Sequence, residues 1–328
     1  MNLPHKSCVS GLGAYVPDKV LTNFDLEKMV DTTDEWIRTR TGIETRRIAA
    51  KGQSASDLGV PAALEAIKDA GLTPADIDLI IVATITPDMF FPSTACAIQN
   101  QIGAKCGAFD MAAACSGFPY AVAAADSFVR SGVYKNVLVV GTEVLSGFID
   151  WEDRSTCVLF GDGAGAAVIS RSDDGHGIIA NHIGADGSQG ELLKIPGGGS
   201  ANPPSEETLR NRLHFLKMQG SEVFKVAVRT MELAVRELVK SAGLEVSDIS
   251  YLIPHQANMR ILQAVAERLE MPLDKVFINV ERYGNMSSAS TAVAFYEAVK
   301  EKKVKKGDYI VLVAFGGGLT WASTLIKW

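Results

Sequence analysis

The sequence predicts an α/β protein in which one unit occurs twice. Residues 70–81 and residues 242–253 are nearly alike, and the second segment lies 172 positions after the first. A shorter pair, residues 121–123 and residues 292–294, is separated by 171 positions. Apolar runs alternate with segments of helical periodicity around both pairs, as in sheets covered by helices. A duplicated unit brings equivalent loops together, so residues at matching places in the two copies become candidates for one site.

Each copy should contain the same order of elements. In the first we predict helix 56–70, strand 79–84, helix 93–102, strand 107–111, helix 117–130 and strand 137–141. In the second we predict helix 221–242, strand 251–253, helix 258–269, strand 276–279, helix 288–300 and strand 309–315. Because these strands are apolar on both faces, we predict mostly parallel sheets covered by helices, in units 1–176 and 177–328.

Composition excludes several classes of function. A chain of 328 residues with 47% hydrophobic and 21% charged residues is typical of soluble globular proteins. Its net charge of −6 argues against nonspecific nucleic-acid binding, which needs a basic surface. No segment approaches the ~18 apolar residues of a membrane span, and the start does not resemble a secretion signal. We therefore expect a cytoplasmic protein without nucleic-acid or membrane partners.

The five cysteines are odd in number and contain no C-x-x-C pair. This pattern predicts neither a disulfide framework nor a zinc site. We expect no metal and no cofactor.

Cys115 is the first candidate for chemistry. It follows a predicted strand through three alanines and precedes Ser116 and Gly117 at the start of a predicted helix. Small neighbours leave the thiol reachable, and the helix N-terminus should favour the thiolate by up to ~2 kcal/mol, which puts its pKa roughly 1.5 units below the ordinary value near 8.5. Such a thiol could accept an acyl group. The alternative is an inert buried cysteine, as we expect for the other four.

His255 and Asn285 are the candidates from the second copy. His255 ends a predicted strand, where open α/β sheets carry their sites, and Asn285 precedes a predicted helix at a place matching Ala114. Each could instead be structural, as a satisfied histidine or a turn residue. Together with Cys115 they would place a thiol opposite two neutral hydrogen-bond donors, which suits acyl transfer and enolate stabilisation.

Two glycine-rich segments add to this picture. The run 316–318 permits close backbone approach, and the amide of Gly317 could join that of Cys115 in an oxyanion hole, although a plain turn would also explain it. Residues 196–205 are interpreted as a mobile surface flap, or as a plain connector.

In combination, these segments resemble β-ketoacyl-acyl carrier protein synthase III. The resemblance rests on residues 113–118, 254–258, 284–287 and 314–321, and extends through 34–43, 160–165 and 185–188. It implies a thiolase-like αβαβα layered fold from two duplicated halves, and a homodimer. It also implies decarboxylative condensation of acetyl-CoA, or another short acyl-CoA, with malonyl-acyl carrier protein to initiate fatty acid synthesis.

The resemblance further implies roles for single residues. Cys115 would carry the acyl group, while His255 and Asn285 would stabilise the decarboxylated enolate. The residues expected to contact substrate are Trp36 on the CoA adenine, Arg40 and Arg154 near its phosphates, Phe91 at the acyl pocket across the dimer interface, and Phe315 and Asn258 within the matching motifs. Those expected to receive the acidic carrier protein are Lys225 and Arg260.

Two departures concern the substrate. Met286 stands where the family commonly has Thr, and residues 89–91 are bulkier than a minimal acetyl pocket needs. The nearest alternative is a homologous condensing or acyl-transfer enzyme of secondary metabolism with another donor or acceptor. A catalytically silent acyl-CoA-binding subunit is a different class, which the presence of Cys115, His255 and Asn285 disfavours.

Overall fold

The computed structural model describes residues 4–172 and 176–328. The strands in this part of the chain are β1 Lys6–Tyr15, β2 Lys19–Thr22, β3 Thr45–Ile48, β4 Leu79–Ala83, β5 Gly107–Met111, β6 Asn136–Glu143, β7 Gly163–Ser172, β8 Gly177–Ala185, β9 Leu193–Lys194, β10 Lys217–Met218, β11 Tyr251–Pro254, β12 Tyr309–Gly316 and β13 Thr320–Lys327. The helices are α1 Asn23–Leu26, α2 Asp34–Thr41, α3 Ala55–Asp69, α4 Thr94–Ile102, α5 Gly117–Arg130, α6 Arg154–Cys157, α7 Glu206–Arg210, α8 Gly220–Ser241, α9 Met259–Arg268, α10 Val280–Tyr283 and α11 Ser288–Lys300.

The strands form two large sheets, which are mixed in direction. The first has the order β1-β7-β6-β4-β5, in which β6, β4 and β5 are parallel and the β1–β7 and β7–β6 pairs are antiparallel. The second has the order β11-β12-β13-β8, in which β11 and β12 are parallel and the other two pairs are antiparallel. The prediction of mostly parallel sheets is therefore wrong. Four strands of these two sheets were not predicted, namely β1, β7, β8 and β13, and every antiparallel pair of the two sheets includes at least one of them.

The sheets and helices stack in five layers. Ile81 of β4 packs in the central core with Phe118 of α5 and Phe295 of α11, whereas its neighbour Ile80 packs on the opposite face with Leu58 of α3. Successive side chains along the strands of the second sheet also point to opposite faces. Those on one face pack on the central helices, and those on the other face pack on the outer helices α8 and α9. This burial of both faces explains the unbroken apolar strands. The observed order, helices, sheet, helices, sheet, helices, confirms the αβαβα fold.

The two central helices begin side by side. A Cβ on Gly117, the first residue of α5, would lie 3.3 Å from the Cβ of Ser288, the first residue of α11, and 3.0 Å from that of Ala83. Glycine therefore allows the two helix N-termini to meet. The bounds predicted for these two helices, 117–130 and 288–300, are confirmed.

The prediction of a strand at 276–279 is wrong, because this segment pairs with β11 at only a single bridge. The N–H of Phe277 donates to the carbonyl of Leu252 at 2.9 Å. Beyond that bond, the Gln256 side chain donates to the carbonyl of Phe277 at 3.0 Å and accepts from the N–H of Asn279 at 2.9 Å. A side-chain amide thus satisfies the backbone groups that a longer strand would have paired.

The segment 196–205 forms hydrogen-bonded turns. The N–H of Gly197 donates to the carbonyl of Leu213 at 2.7 Å, and Nδ2 of Asn202 donates to the carbonyl of Pro196 at 2.9 Å. Its mobility stays a prediction.

The bounds of the two units, 1–176 and 177–328, also stay predictions. Residues 1–3 and 173–175, which fall in the first unit, lie outside the described residues.

Candidate active site

Cys115 lies in a single helical turn between β5 and α5. The turn Ala114–Ser116 leads directly into Gly117, where α5 begins. Only 6% of the cysteine is exposed, yet it lines two adjoining cavities. We call the larger one, about 650 Å³ and bounded also by His255 and Asn285, the outer chamber. The smaller one, about 220 Å³ and bounded also by Ile85, is the inner chamber.

The outer chamber brings together most of the predicted site residues. Those that line it are Trp36, Arg40, Cys115, Lys225, His255, Asn258, Arg260, Asn285 and Phe315. Gly317 lines the inner chamber together with Cys115. Arg154 and Phe91 line neither chamber in the described structure.

The inner chamber is walled mostly by apolar side chains. They come from Ile85, Leu145, Phe160, Leu193, Ile195 and Leu216. An apolar pocket beside a nucleophile suits a hydrocarbon group bonded to the sulfur.

Burial raises the pKa of the Cys115 thiol to about 12, and the buried carboxyl of Glu143 adds to this. The Ser287 hydroxyl and the cysteine's own backbone N–H lower the same pKa, but each by less than burial raises it. Our prediction that the start of α5 lowers this pKa is therefore wrong, because the loss of hydration outweighs the helix. The thiol is neutral near pH 7 and must lose its proton as it reacts.

His255 directly follows β11 and is held in place by its backbone, whose N–H donates to the carbonyl of Val313 at 2.7 Å. Burial lowers the pKa of its imidazole to about 3, so the ring is neutral near pH 7. Its Nδ1 is buried and has no hydrogen-bond partner in the described structure. Placing the ring proton on Nε2 avoids a buried unpaired N–H, and it makes Nε2 a donor.

Asn285 is fixed by its backbone and by one side-chain atom. Its N–H donates to the carbonyl of Leu159 at 2.8 Å, and its carbonyl accepts from Gly161 at 3.0 Å. Its Oδ1 accepts from the N–H of Ser287 at 2.8 Å. This bond orients the side-chain amide, so that Nδ2 is the group that can donate a hydrogen bond to a ligand in the outer chamber.

Glu143 and Ser287 are neighbours of Cys115 that sequence reasoning did not single out. Glu143 is the last residue of β6 and is fully buried, which raises the pKa of its carboxyl. Ser287 immediately precedes α11 and is also buried. One signal was available, since Glu143 is an acidic residue that ends an apolar strand, where α/β sheets place their sites.

Within the glycine run, Gly316 approaches Cys115 most closely. A Cβ there would lie 2.6 Å from the backbone nitrogen of Cys115 and 3.1 Å from that of Ser116. A Cβ on Gly317 would lie 3.0 Å from the carbonyl oxygen of Leu193. The N–H groups of Cys115 and Gly317 donate to no other residue of the described chain, so both are free to meet an oxyanion.

Trp36 and two arginines form a cation–π cluster at the rim of the outer chamber. The guanidinium carbons of Arg154 and Arg40 lie 4.8 and 5.9 Å from the ring centroid. Arg154 also donates to the carbonyl of Asp31 at 2.8 Å. An aromatic face flanked by two cations suits a nucleotide.

Two further cations stand at the same rim. Lys225 is exposed and forms an ion pair with Glu222 at 2.8 Å, while the guanidinium of Arg260 lies 5.6 Å from the Phe224 ring centroid. These cations are accessible to an acidic partner.

Asn258 and Phe315 have structural roles as well. Oδ1 of Asn258 accepts from the N–H of Ile261 at 3.0 Å and so caps α9, which leaves Nδ2 for a ligand. Phe315, near the end of β12, is buried in the chamber wall.

Phe91 lies outside both chambers and is 87% exposed. Its neighbours Phe90 and Met89 are exposed too, at 82% and 53%. A group of large exposed apolar side chains is typical of an interaction surface. The predicted role of Phe91 at the acyl pocket therefore needs a second copy of the chain, and stays a prediction.

The described residues contain no group of three His, Cys, Asp or Glu side chains that could hold a metal ion. Nor does any helix among them have the length and apolar character to cross a membrane.

Comparison with known proteins agrees with the geometry of the site. Residues 109–187 match the family model for 3-oxoacyl-[acyl-carrier-protein (ACP)] synthase III, and residues 239–328 match the model for its C-terminal part. A β-ketoacyl-[acyl-carrier-protein] synthase III of Caldanaerobacter subterraneus subsp. tengcongensis is 56% identical over 321 residues, which are 98% of this chain and 97% of that protein.

Solved structures extend the likeness to the whole fold. The 3-oxoacyl-[acyl-carrier-protein] synthase III from Aquifex aeolicus VF5 superposes with a TM-score of 0.92 at 52% identity, covering 98% of this chain and 100% of that one. The priming β-ketosynthase from the R1128 polyketide biosynthetic pathway gives a TM-score of 0.91 at 37% identity, covering 100% and 98%. With this fold, this site and these relatives, the chain belongs to the β-ketoacyl-[acyl-carrier-protein] synthase III family of condensing acyltransferases.

Proposed function

We propose that this chain moves a short acyl group from an acyl-CoA to Cys115 and then condenses it with malonyl-acyl carrier protein, the first condensation of fatty acid synthesis. One observation carries the proposal, which is that Cys115, His255 and Asn285 line a single chamber although they come from different copies of the duplicated unit. A thiol that faces two neutral donors suits acyl transfer followed by enolate stabilisation.

In the first half-reaction the sulfur of Cys115 attacks the thioester carbon of acyl-CoA. The new C–S bond forms, the bond to the CoA sulfur breaks, and the thiol proton ends on CoA. Because the pKa of the thiol is about 12, the proton leaves as the sulfur attacks. The free amides of Cys115 and Gly317 would receive the negative charge on the carbonyl oxygen.

In the second half-reaction the malonyl group loses CO₂, and the electron pair of the broken C–C bond forms an enolate. Nε2–H of His255 and Nδ2–H of Asn285 would donate to the enolate oxygen. The enolate carbon then attacks the acyl carbon, the Cys115 sulfur leaves, and it takes up a proton. A histidine with a pKa of about 3 stays neutral and does not protonate the enolate. Neither half-reaction calls for a cofactor.

Both thioesters would enter through the rim of the outer chamber. The Trp36 cluster with Arg40 and Arg154 offers the CoA nucleotide a stacking face and cations for its phosphates. Lys225 and Arg260 offer a local positive patch to the acidic carrier protein.

We also propose a homodimer, supported by the edge of the first sheet. β5 is the edge strand of that sheet, and Phe109 on it is 37% exposed, while Phe90 and Phe91 are largely exposed. An edge strand offers unpaired backbone groups to a second strand. Pairing with a second copy would cover this apolar surface and bring Phe91 to the acyl pocket across the interface.

Sedimentation velocity of the wild type and of Phe91→Ser tests the dimer. The variant should dimerise more weakly than the wild type, because a polar side chain replaces an apolar one at the interface. An unchanged dimer would remove Phe91 from the interface.

A cytoplasmic location fits the cysteines, none of which forms a disulfide bond in the part of the chain that the structure describes. Proteins of reducing compartments keep their thiols reduced.

The test of function is release of CoA and CO₂ from a series of acyl-CoAs with malonyl-carrier protein. We expect CoA release from short acyl-CoAs alone, and CO₂ release once malonyl-carrier protein is added, with Cys115→Ala as the inactive control. Activity with malonyl-CoA but not malonyl-carrier protein would favour the enzyme of secondary metabolism. Acyl-CoA binding with neither product would favour the silent subunit.

A further inference from the structure

The two amides proposed for the oxyanion belong to separate turns of the chain. Cys115 lies in residues 113–116, which we call the cysteine turn. Gly317 lies in residues 316–320, which we call the glycine turn, where β12 turns back into β13. Because the two turns are far apart in sequence, only contacts across the fold fix the spacing of the two N–H groups. That spacing matters for the rate, since such donors act on an oxyanion at about 2.7–3.1 Å.

Two hydrogen bonds, both made by Thr320, join the cysteine turn to the glycine turn. The Thr320 hydroxyl donates to the carbonyl of Ala113 at 2.9 Å, and the Ser116 hydroxyl donates to the carbonyl of Thr320 at 3.0 Å. On the cysteine turn, these two partners stand on either side of Cys115. The Thr320 hydroxyl also lies 3.3 Å from the carbonyl oxygen of Gly317. One residue therefore contacts both turns that carry the proposed oxyanion donors.

The cysteine turn contains a strained residue that needs support from its surroundings. Ala114 has a φ of 47°, in the left-handed region that glycine adopts at lower cost. A residue with a Cβ keeps such a conformation only where the structure around it over-determines it. The bonds at Ala113 and Ser116 bracket Ala114 and constrain the turn at both ends. The turns are also in backbone contact, because a Cβ on Gly316 would lie 2.6 Å from the backbone nitrogen of Cys115.

We infer that Thr320 and Ser116 are positioning residues, which hold the amides of Cys115 and Gly317 at the spacing that one oxyanion requires. Neither side chain lines the outer or the inner chamber in the described structure, so both act through the turns and not on the substrate. The inference rests on the proposed acyl transfer to Cys115. Because the oxyanion forms only as the thioester carbon is attacked, loss of either bond should slow the transfer and leave acyl-CoA binding unchanged.

The experiment follows acylation of Cys115 by mass spectrometry, with acetyl-CoA or butyryl-CoA over a range of concentrations. Thr320→Val removes one bond at nearly constant shape, and Ser116→Ala removes the other. Each should lower the maximal rate by about 10- to 100-fold, because small displacements of reacting groups cost this much, and should keep the half-saturating acyl-CoA concentration within about twofold. Thr320→Ser keeps a hydroxyl and should recover to within about threefold of the wild type.

Alkylation by iodoacetamide separates the oxyanion donors from the thiol itself. The Cys115 sulfur displaces iodide from a saturated carbon, and no oxyanion forms in this reaction. Thr320→Val and Ser116→Ala should therefore be alkylated at nearly the wild-type rate. The double variant should acylate little more slowly than either single variant, because both bonds hold the same two turns together.

The matched controls are Ser323→Ala and Thr324→Val, on the same strand as Thr320. Their hydroxyls are buried and make hydrogen bonds of the same length, 2.9 Å, to the carbonyl of Ala234 and to Oδ1 of Asn181. These bonds do not involve either turn. Both controls should acylate Cys115 at the wild-type rate, although each loses a buried hydrogen bond.

Three results would overturn the inference. Wild-type acylation in Ser116→Ala and Thr320→Val would remove both bonds from the reaction. An equal loss in alkylation would assign the effect to the thiol, and an equal loss in the controls would assign it to general stability. Thermal melting identifies a variant that fails to fold, and if Thr320→Val is one, Ser116→Ala decides the outcome. Failure of the proposed function looks different, because the wild type itself would then gain no acyl group on Cys115.

Discussion

At the scale of single residues, His255 and Asn285 differ from Cys115 in the step that they serve. We expect His255→Ala and Asn285→Ala to keep measurable acyl transfer to Cys115. Each should lose malonyl decarboxylation by a factor on the order of 10²–10³, the usual effect of one oxyanion donor. Mass spectrometry of the acylated enzyme and CO₂ release measure the two steps separately. Equal losses in both steps would refute this division of roles.

Burial of His255 also couples folding stability to pH. The folded pKa is about 3, below the unfolded value near 6.5. Between pH 6.5 and pH 3 the unfolded chain binds a proton that the folded chain does not. The free energy of unfolding therefore decreases as the pH is lowered, by up to about 1.4 kcal/mol per pH unit. The contribution of His255 is thus present above pH 6.5 and is lost towards pH 3.

Urea unfolding of the wild type and His255→Gln at pH 7, 6 and 5 checks this coupling. The variant should lose less stability on acidification than the wild type does. Parallel curves would contradict a buried neutral histidine.

At the scale of elements, Gln256 ends the pairing of residues 276–279 with β11. Gln256→Leu would leave the buried carbonyl of Phe277 and N–H of Asn279 without partners, at about 1–3 kcal/mol each. We expect a loss in the free energy of unfolding of about 2–6 kcal/mol by urea denaturation. Gln263→Ala, on the exposed surface of α9, is the control and should stay within about 0.5 kcal/mol of the wild type.

The sequence predicted helices better than strand partners. The helices α5 and α11 follow from periodic small apolar residues and clear ends, which are local properties. Strand 276–279 was predicted wrongly because the side chain that replaces its partner, Gln256, lies 20 positions or more away in sequence. Likewise, Glu143 at the end of β6 and Ser287 before α11 become neighbours of Cys115 only in the folded chain, because both are far from it in sequence. The motifs therefore identified Cys115, His255 and Asn285, but not the buried groups behind the thiol.

At the scale of the whole molecule, a net charge of −6 cannot attract an acidic protein. Docking should depend on local cations, so Lys225→Glu and Arg260→Glu should lower kcat/KM for malonyl-carrier protein and leave acylation by acyl-CoA nearly unchanged. The wild-type value should also fall as salt rises. Lys302→Glu, beyond the far end of α11, is the matched control. No loss on the carrier protein would remove both residues from the patch, and equal losses on both substrates would indicate misfolding.

The meeting of Gly117 and Ser288 has an electrostatic consequence for catalysis. The N-terminal ends of two helices, each equivalent to roughly half a positive charge, lie side by side next to the turn that carries Cys115. The resting thiol is neutral and gains little from this field. An anion that develops during the reaction is stabilised by this field. The helix dipoles are held in place by packing and need not reorient as the charge appears. Duplication has thus produced a site whose polarisation is built into the backbone before any substrate arrives.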